Sequence, residues 1–182
     1  DNSIYDQLVI SQNLTQRFET PSSAHPLGLD EFGRDILLRI IWGTRYSLFM
    51  SIVAIVAAGL VGTVIGAIAG YYGGKVDNVI MRLMDIILSL PYMLLAIAIV
   101  AALGPGLVNV LISIAIGYVP EFARIVRASV MTIREREFVE AAKAVGASDK
   151  SIIFQQILPN AMAPLIVEVT MAIAGAILSI AG

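Results

Sequence analysis

Few residues in this chain have the type and spacing for covalent chemistry. The single histidine, His25, stands in the turn-forming run His25-Pro26-Leu27-Gly28. There it reads as a solvated or hydrogen-bonded turn residue rather than a metal ligand. Asp30, Glu31, Arg34 and Asp35 follow closely and read as a charged face at an interface rather than a catalytic set. The chain has no cysteine, which removes disulfides, thiolate metal sites and a cysteine nucleophile. The run Gly70-Tyr71-Tyr72-Gly73-Gly74-Lys75 superficially suggests a phosphate loop. The pattern Gly-x-x-x-x-Gly-Lys-Ser/Thr needs glycine where Ala69 stands and a hydroxyl where Val76 stands, so no nucleotide site is encoded here. A Ser/His/Asp set, paired intramembrane aspartates or a zinc motif would mark an intramembrane enzyme, and the sequence offers none of them.

What remains is a charged stretch between two long apolar segments, Arg134 to Pro159. It reads as two short helices. In the first, Phe138, Ala141, Ala142 and Val145 recur at helical spacing and share a face. Gly146 ends that helix, because glycine most readily takes the left-handed conformation. Ser148 caps the second helix and Asp149 favours its positive end. Pro159 is expected to stop it. Ile152, Ile153, Phe154, Ile157 and Leu158 make the second helix too apolar to lie bare in water. A half-charged, half-apolar helical pair at a membrane surface suits either a protein partner or its own bilayer and bundle.

The order Glu140-Ala141-Ala142, three residues, Gly146, then Ile157-Leu158-Pro159 resembles the "EAA" loop of ABC-transporter permeases, the membrane subunits of ATP-driven importers. One departure is visible: the general pattern has isoleucine two residues before the leucine, where this chain has Gln156, and Ile157 precedes Leu158 directly. Ile157-Leu158-Pro159-Asn160 and the run His25 to Leu48 resemble the dipeptide/oligopeptide/nickel branch of that family. The resemblance implies a type I importer fold and a loop at 134–160 that docks into a cleft of a cytoplasmic ATPase. It implies as partners a second homologous permease, two cytoplasmic ATPase subunits and an extracytoplasmic solute-binding protein. ATP would sit on the ATPase, with no cofactor bound by this chain.

The composition fits a chain embedded in a lipid bilayer. Of 182 residues, 58% are hydrophobic, and the mean hydropathy is +0.84, far beyond soluble domains, where about half the residues are apolar. The net charge of −2 gives no sign of nucleic-acid binding. The fold class is all-α, a polytopic transmembrane helical bundle. Residues 1–45 are polar and read as an extracytoplasmic loop followed by an amphipathic helix ending near Gly43. Residues 46–182 form the transmembrane part, with spans near 47–70, 84–103, 107–127 and 162–182. Each span needs about 20 apolar residues. Tyr46–Gly74 is free of charge for 29 residues, enough for one span, and Ile86–Pro120 for 35, which Gly104-Pro105-Gly106 divides in two. Lys75–Asp85 reads as a short charged connection and helix start, and Pro91 as a residue that kinks the span it enters or leaves a carbonyl unpaired. Gly62, Gly66 and Gly70 lie four apart and let two helices approach closely. Glu168, an acid near the start of the last span, is a possible pathway residue.

Lys75, Arg82, Arg124, Arg127, Arg134, Arg136, Lys143 and Lys150 fall on one side of these spans, against Arg17, Arg34, Arg39 and Arg45 on the other. That excess places 134–160 in the cytoplasm. The spans are nearly free of charge, which argues against the alternative of an ion-coupled secondary transporter or channel subunit. The start at Asp1 without methionine and the end within an apolar run suggest truncation at both ends, with one further span on each side by family resemblance. The substrate is not readable beyond a small solute, with peptides first and nickel complexes or sugars open.

Overall fold

The computed structural model describes residues 9–181. The protein is an all-α bundle, and six helices carry it: α1 (Ile36–Tyr72), α2 (Gly74–Leu88), α3 (Tyr92–Leu103), α4 (Leu107–Ile133), α5 (Glu137–Ala144) and α6 (Leu158–Ala181). The chain divides into two compact units, Asp1–Phe49 and Met50–Gly182.

From Ser11 the first unit is mostly loop up to α1. A single 3-10 turn, Leu14–Gln16, is capped by the Asn13 side chain, which accepts from the Thr15 N–H. The loop folds back on itself through main-chain bonds from Asn13 to Phe32, Phe18 to Asp30 and Leu29 to Glu19. The expected charged face turns inward upon itself. One Asp30 oxygen accepts from the Phe32 and Arg34 N–H groups at 2.8 and 3.0 Å, and the other from the side chains of Arg34 and Arg39. Burial alone would raise the Asp30 carboxyl, but these donors outweigh it and hold the group down at about 2. Asp35 is buried, accepts from His25 Nδ1 at 2.8 Å and caps α1 by accepting from the Leu38 N–H at 2.9 Å. His25 is therefore a hydrogen-bonded turn residue.

Three expectations about helices are corrected. The first concerns Gly43. It ends nothing, because α1 runs without interruption for 37 residues, about 55 Å at 1.5 Å per residue. A lone interior glycine costs about 1 kcal/mol relative to alanine, too little to halt a helix whose hydrogen-bond ladder continues on both sides. The second concerns Pro91, which does not kink a span over 84–103 but breaks it. α2 and α3 meet at 87° across Ser89–Pro91. Proline has no donor for the ladder and pushes Leu90 out of helical geometry, so the two helices cannot be continuous. The charged connection after Lys75 is thereby the body of a 15-residue helix, and α3 alone, at 12 residues, is about 18 Å long.

The third concerns Pro159, which does not stop the second helix of the loop. A helical turn at Asp149–Ser151 passes into a π-helical segment, Ile152–Ile157, and directly into α6. The wide turn is closed by the Leu158 N–H donating to Ile153 O, five residues back. Such a turn relaxes the clash that the proline ring would make with the carbonyl four residues before it. The Asn160 side chain also donates to Gln156 O at 2.7 Å.

Three helical stretches are long and apolar enough to cross a membrane: Ile36–Tyr72, Leu107–Ile133 and Asp149–Ser179, with the bent α2–α3 pair as a fourth if it counts as one span. The third runs up to Ser179, so the expected span over 162–182 ends on residues of which the last is not described. The centre of the second unit is α4. Phe122, Ala123, Val126 and Val130 of this helix are buried against small residues of α1 and against Val139, Ile152, Ile157 and Ala161. Within the span region the chain exposes Leu60, Met171 and Leu178, as lipid or a neighbouring helix permits.

Candidate functional site

The stretch from Arg134 to Pro159 forms a compact knob between α4 and α6. α5 ends in a left-handed residue, Gly146, at φ 82°. The Gly146 N–H donates to Lys143 O and the Ala147 N–H to Ala142 O, both at 3.0 Å, which satisfies carbonyls that the helix end would otherwise leave open. Ser148 then caps the next turn, its hydroxyl accepting from the Ser151 N–H at 3.4 Å.

The knob packs inward through Val139 and Ala142, which divides the stripe of Phe138, Ala141, Ala142 and Val145. Val139 is fully buried and Ala142 half-buried, and they join Ile152, Ile153 and Ile157 in the core. Phe138, Ala141 and Val145 are left facing outward. Val145 is 84% exposed and Phe138 41% exposed, so an apolar stripe stands free on the outer face of α5. Glu140 and Gly146 are exposed too, and the Glu140 carboxylate makes no hydrogen bond or ion pair among the described residues. A depression of about 800 Å³ opens beside the knob, lined by Ile133, Glu135, Arg136, Glu137, Phe138 and Asn160. Ile157 is buried, Leu158 half-buried and Pro159 exposed, so the end of the motif faces both ways.

The base of the knob is tied to the end of α1. Arg134 donates to the Gly70 and Tyr71 carbonyls at 2.9 and 3.1 Å, which suits the negative end of a helix. The Tyr71 and Tyr72 hydroxyls donate to the two Asp149 oxygens at 2.7 and 3.2 Å. Nearby, Asp77 of α2 takes a fork of two bonds from Arg127 of α4, and Arg124 pairs with Asp85 at 2.5 Å.

Gly62, Gly66 and Gly70 all face α4. A Cβ at Gly62 would stand 2.9 Å from Val119 O, and one at Gly70 2.8 Å from Arg127 O, so the two backbones are nearly in contact. Glu168 lies half-buried on α6, close enough to Tyr118 and Glu121 of α4 to interact electrostatically with both. Periodicity within one segment could not pair Glu121 with Glu168, nor Tyr71 and Tyr72 with Asp149, because each pair joins separate elements.

Residues 62–182 match the family described as the binding-protein-dependent transport system inner membrane component. The chain belongs to that family. Over 169 residues it is 51% identical to the dipeptide transport system permease protein DppC of Alkalihalophilus pseudofirmus, a match covering 93% of this chain and 56% of that protein. It is 42% identical to the glutathione transport system permease protein GsiD of Pectobacterium atrosepticum, over 90% of this chain and 54% of that protein. It is 47% identical to the di/tripeptide transport system permease protein DppC of Pseudomonas aeruginosa, over 85% and 51%. The chain therefore spans about half the length of the curated relatives it matches. These matches are consistent with the dipeptide/oligopeptide branch of the family, which the run His25 to Leu48 and the sequence at 157–160 resemble.

Proposed function

We propose that this chain is a membrane-spanning permease subunit of an ATP-driven importer, forming part of the path for a small solute, with peptides the favoured class. The observation that carries this reading is the knob itself: a free apolar stripe of Phe138, Ala141 and Val145 beside an unpaired Glu140, presented on a rigid helix–glycine–helix frame. Such a surface suits a protein partner with an apolar cleft and a cationic rim. The small side chains of Ala141 and Ala142 let that surface come close, and Gly146 folds the loop into a compact body. The names of the relatives support the peptide assignment.

In this reading the loop 134–160 is cytoplasmic and receives one of two ATPase subunits. A second homologous permease completes the path, and an extracytoplasmic solute-binding protein delivers the substrate. ATP closes the ATPase pair, the docked knobs move, and the spans rearrange between inward and outward access. ATP is bound and hydrolysed on the partner. Glu168, with Glu121 beside it, lines part of the path, and Gly62, Gly66 and Gly70 hold α1 on α4 during the movement.

The test is reconstitution of the full-length permease with its partners, carrying Glu140→Lys, with ATPase pull-down and substrate uptake measured separately. Reversing a charge at a docking surface is expected to weaken pull-down by about tenfold or more and uptake with it, while insertion stays normal. Normal docking and uptake in that variant would reduce the knob to a surface hairpin.

A further inference from the structure

α1 has no chain connection to the knob that would let it follow the knob's motion. The knob is joined directly to α4 and α6, whereas the partners of Asp149 on α1 lie 77 and 78 residues away in sequence. α1 does pack on α4, but through glycines. A glycine face resists separation by close contact, yet it offers no side chains to interlock against sliding along the axis.

The end of α1 carries the contacts that can resist sliding: Arg134 at the Gly70 and Tyr71 carbonyls, and Asp149 at the last two side chains. One carboxylate, Asp149, receives the Tyr71 hydroxyl on Oδ1 and the Tyr72 hydroxyl on Oδ2. Two bonds from two adjacent residues to two oxygens fix orientation as well as position. The tyrosine rings meet edge to face with centroids 5.2 Å apart, and the Lys143 ammonium stands 5.5 Å above the Tyr71 ring. Asp149 is itself held by the turn that Ser148 caps. The last turn of α1 is thus gripped from both helices of the knob.

We infer that Tyr71, Tyr72 and Asp149 are positioning residues for energy coupling, passing displacement of the knob to α1 through the paired phenol–carboxylate bonds. This rests on the importer reading above. It differs from docking, because none of the three is needed for the outer stripe to be recognised.

The test uses the full-length permease with its ATPase and binding-protein partners in liposomes, with uptake and ATP hydrolysis read in the same vesicles. One variant carries Tyr71→Phe with Tyr72→Phe, which removes two hydroxyls and keeps both rings; another carries Asp149→Asn. ATPase pull-down and hydrolysis are expected to persist while uptake per ATP hydrolysed falls about two- to thirtyfold, the range in which a coupling contact acts. The triple variant is expected to fall no further than the worse parent, because all three residues act through one contact. An unchanged ratio in the tyrosine variant overturns the inference, as do losses that multiply in the triple variant. Loss of pull-down in Asp149→Asn also overturns it, by assigning that residue to the docking surface. Should Asp149→Asn fail to insert, the hydroxyl-only variant decides the matter. If the wild-type permease fails to capture its ATPase, the importer reading falls first and this inference with it.

Discussion

Gly62 of α1 lies so close to Phe122 of α4 that a Cβ on the glycine would stand 2.5 Å from the Phe122 Cβ. The same closeness continues one turn on at Gly66, where the nearest obstacles include the backbone of Ala123 and Arg127. Backbone cannot swing aside as a side chain does. Gly66→Leu is therefore expected to force the helices apart, at a cost of about 1–3 kcal/mol or more, with loss of assembly and uptake. Thermal unfolding in detergent and reconstituted transport check this; an unchanged melting temperature would assign that face to lipid.

Arg127 and Asp77 give a second prediction. Asp77 is buried, and its carboxylate takes two bonds from the Arg127 guanidinium. Arg127→Ala would leave that charge without its main partner and destabilise the bundle by about 1–3 kcal/mol. Adding Asp77→Asn to that variant should recover part of the loss, since a neutral amide is less costly to bury. Melting temperatures of the single and double variants measure both effects, and an additive further loss would contradict the pairing.

Gly146 separates backbone strain from crowding. Its φ of 82° disfavours any L side chain, yet nothing lies within 4 Å of where a Cβ would be. Gly146→Val should lower knob stability by about 1–3 kcal/mol and reduce ATPase capture, whereas Gly146→Asn, which tolerates the left-handed region, should be mild. Hydrogen exchange at α5 amides together with pull-down reads this out. Equal behaviour of the two variants would mean that space, rather than conformation, governs the site.

Acid should loosen the loop before α1. The folded Asp30 carboxyl is held at about 2 against an ordinary 3.8. A depressed carboxyl contributes stability that is present above the unfolded value and is lost as pH falls toward the folded one. Protection of the main-chain bonds at Phe32 and Arg34 is thus expected to decline between about pH 4 and pH 2, and Asp30→Asn should show the weakened state already at neutral pH. Hydrogen exchange across that window checks it, and a flat profile would show that the arginine contacts do not hold the loop.

The sequence made the bundle legible wherever a local pattern decided the outcome. Charge-free runs marked the apolar helices, Gly146 marked the end of α5, and four-residue spacing marked the glycine face. It misled where two local signals competed. Gly43 looks like an end only if its weak penalty outweighs the cooperativity of the helix around it. Pro159 looks like a stop only if the preceding turn keeps α geometry. Periodicity left open which face of α5 points inward, since Phe138, Ala141 and Val145 share a stripe as regular as any core stripe. Which stripe is buried depends on Ile152 and Ile157 meeting Val139. Contacts across elements, such as Tyr71 with Asp149, leave no periodic trace at all.

The π turn at Ile152–Ile157 has a consequence for angular phase. Each residue of an α-helix advances the side chain by about 100°. A turn that accommodates one residue more than its neighbours offsets everything after it by that amount. The turn at Asp149–Ser151 and α6 are one continuous rod, but this offset shifts the face that the rod shows beyond Pro159 relative to the face it shows at Asp149. If the segment closed into plain α-helix with every residue kept, α6 would turn by about 100°. Ala172 and Ala176, now buried, would then rotate out of the bundle.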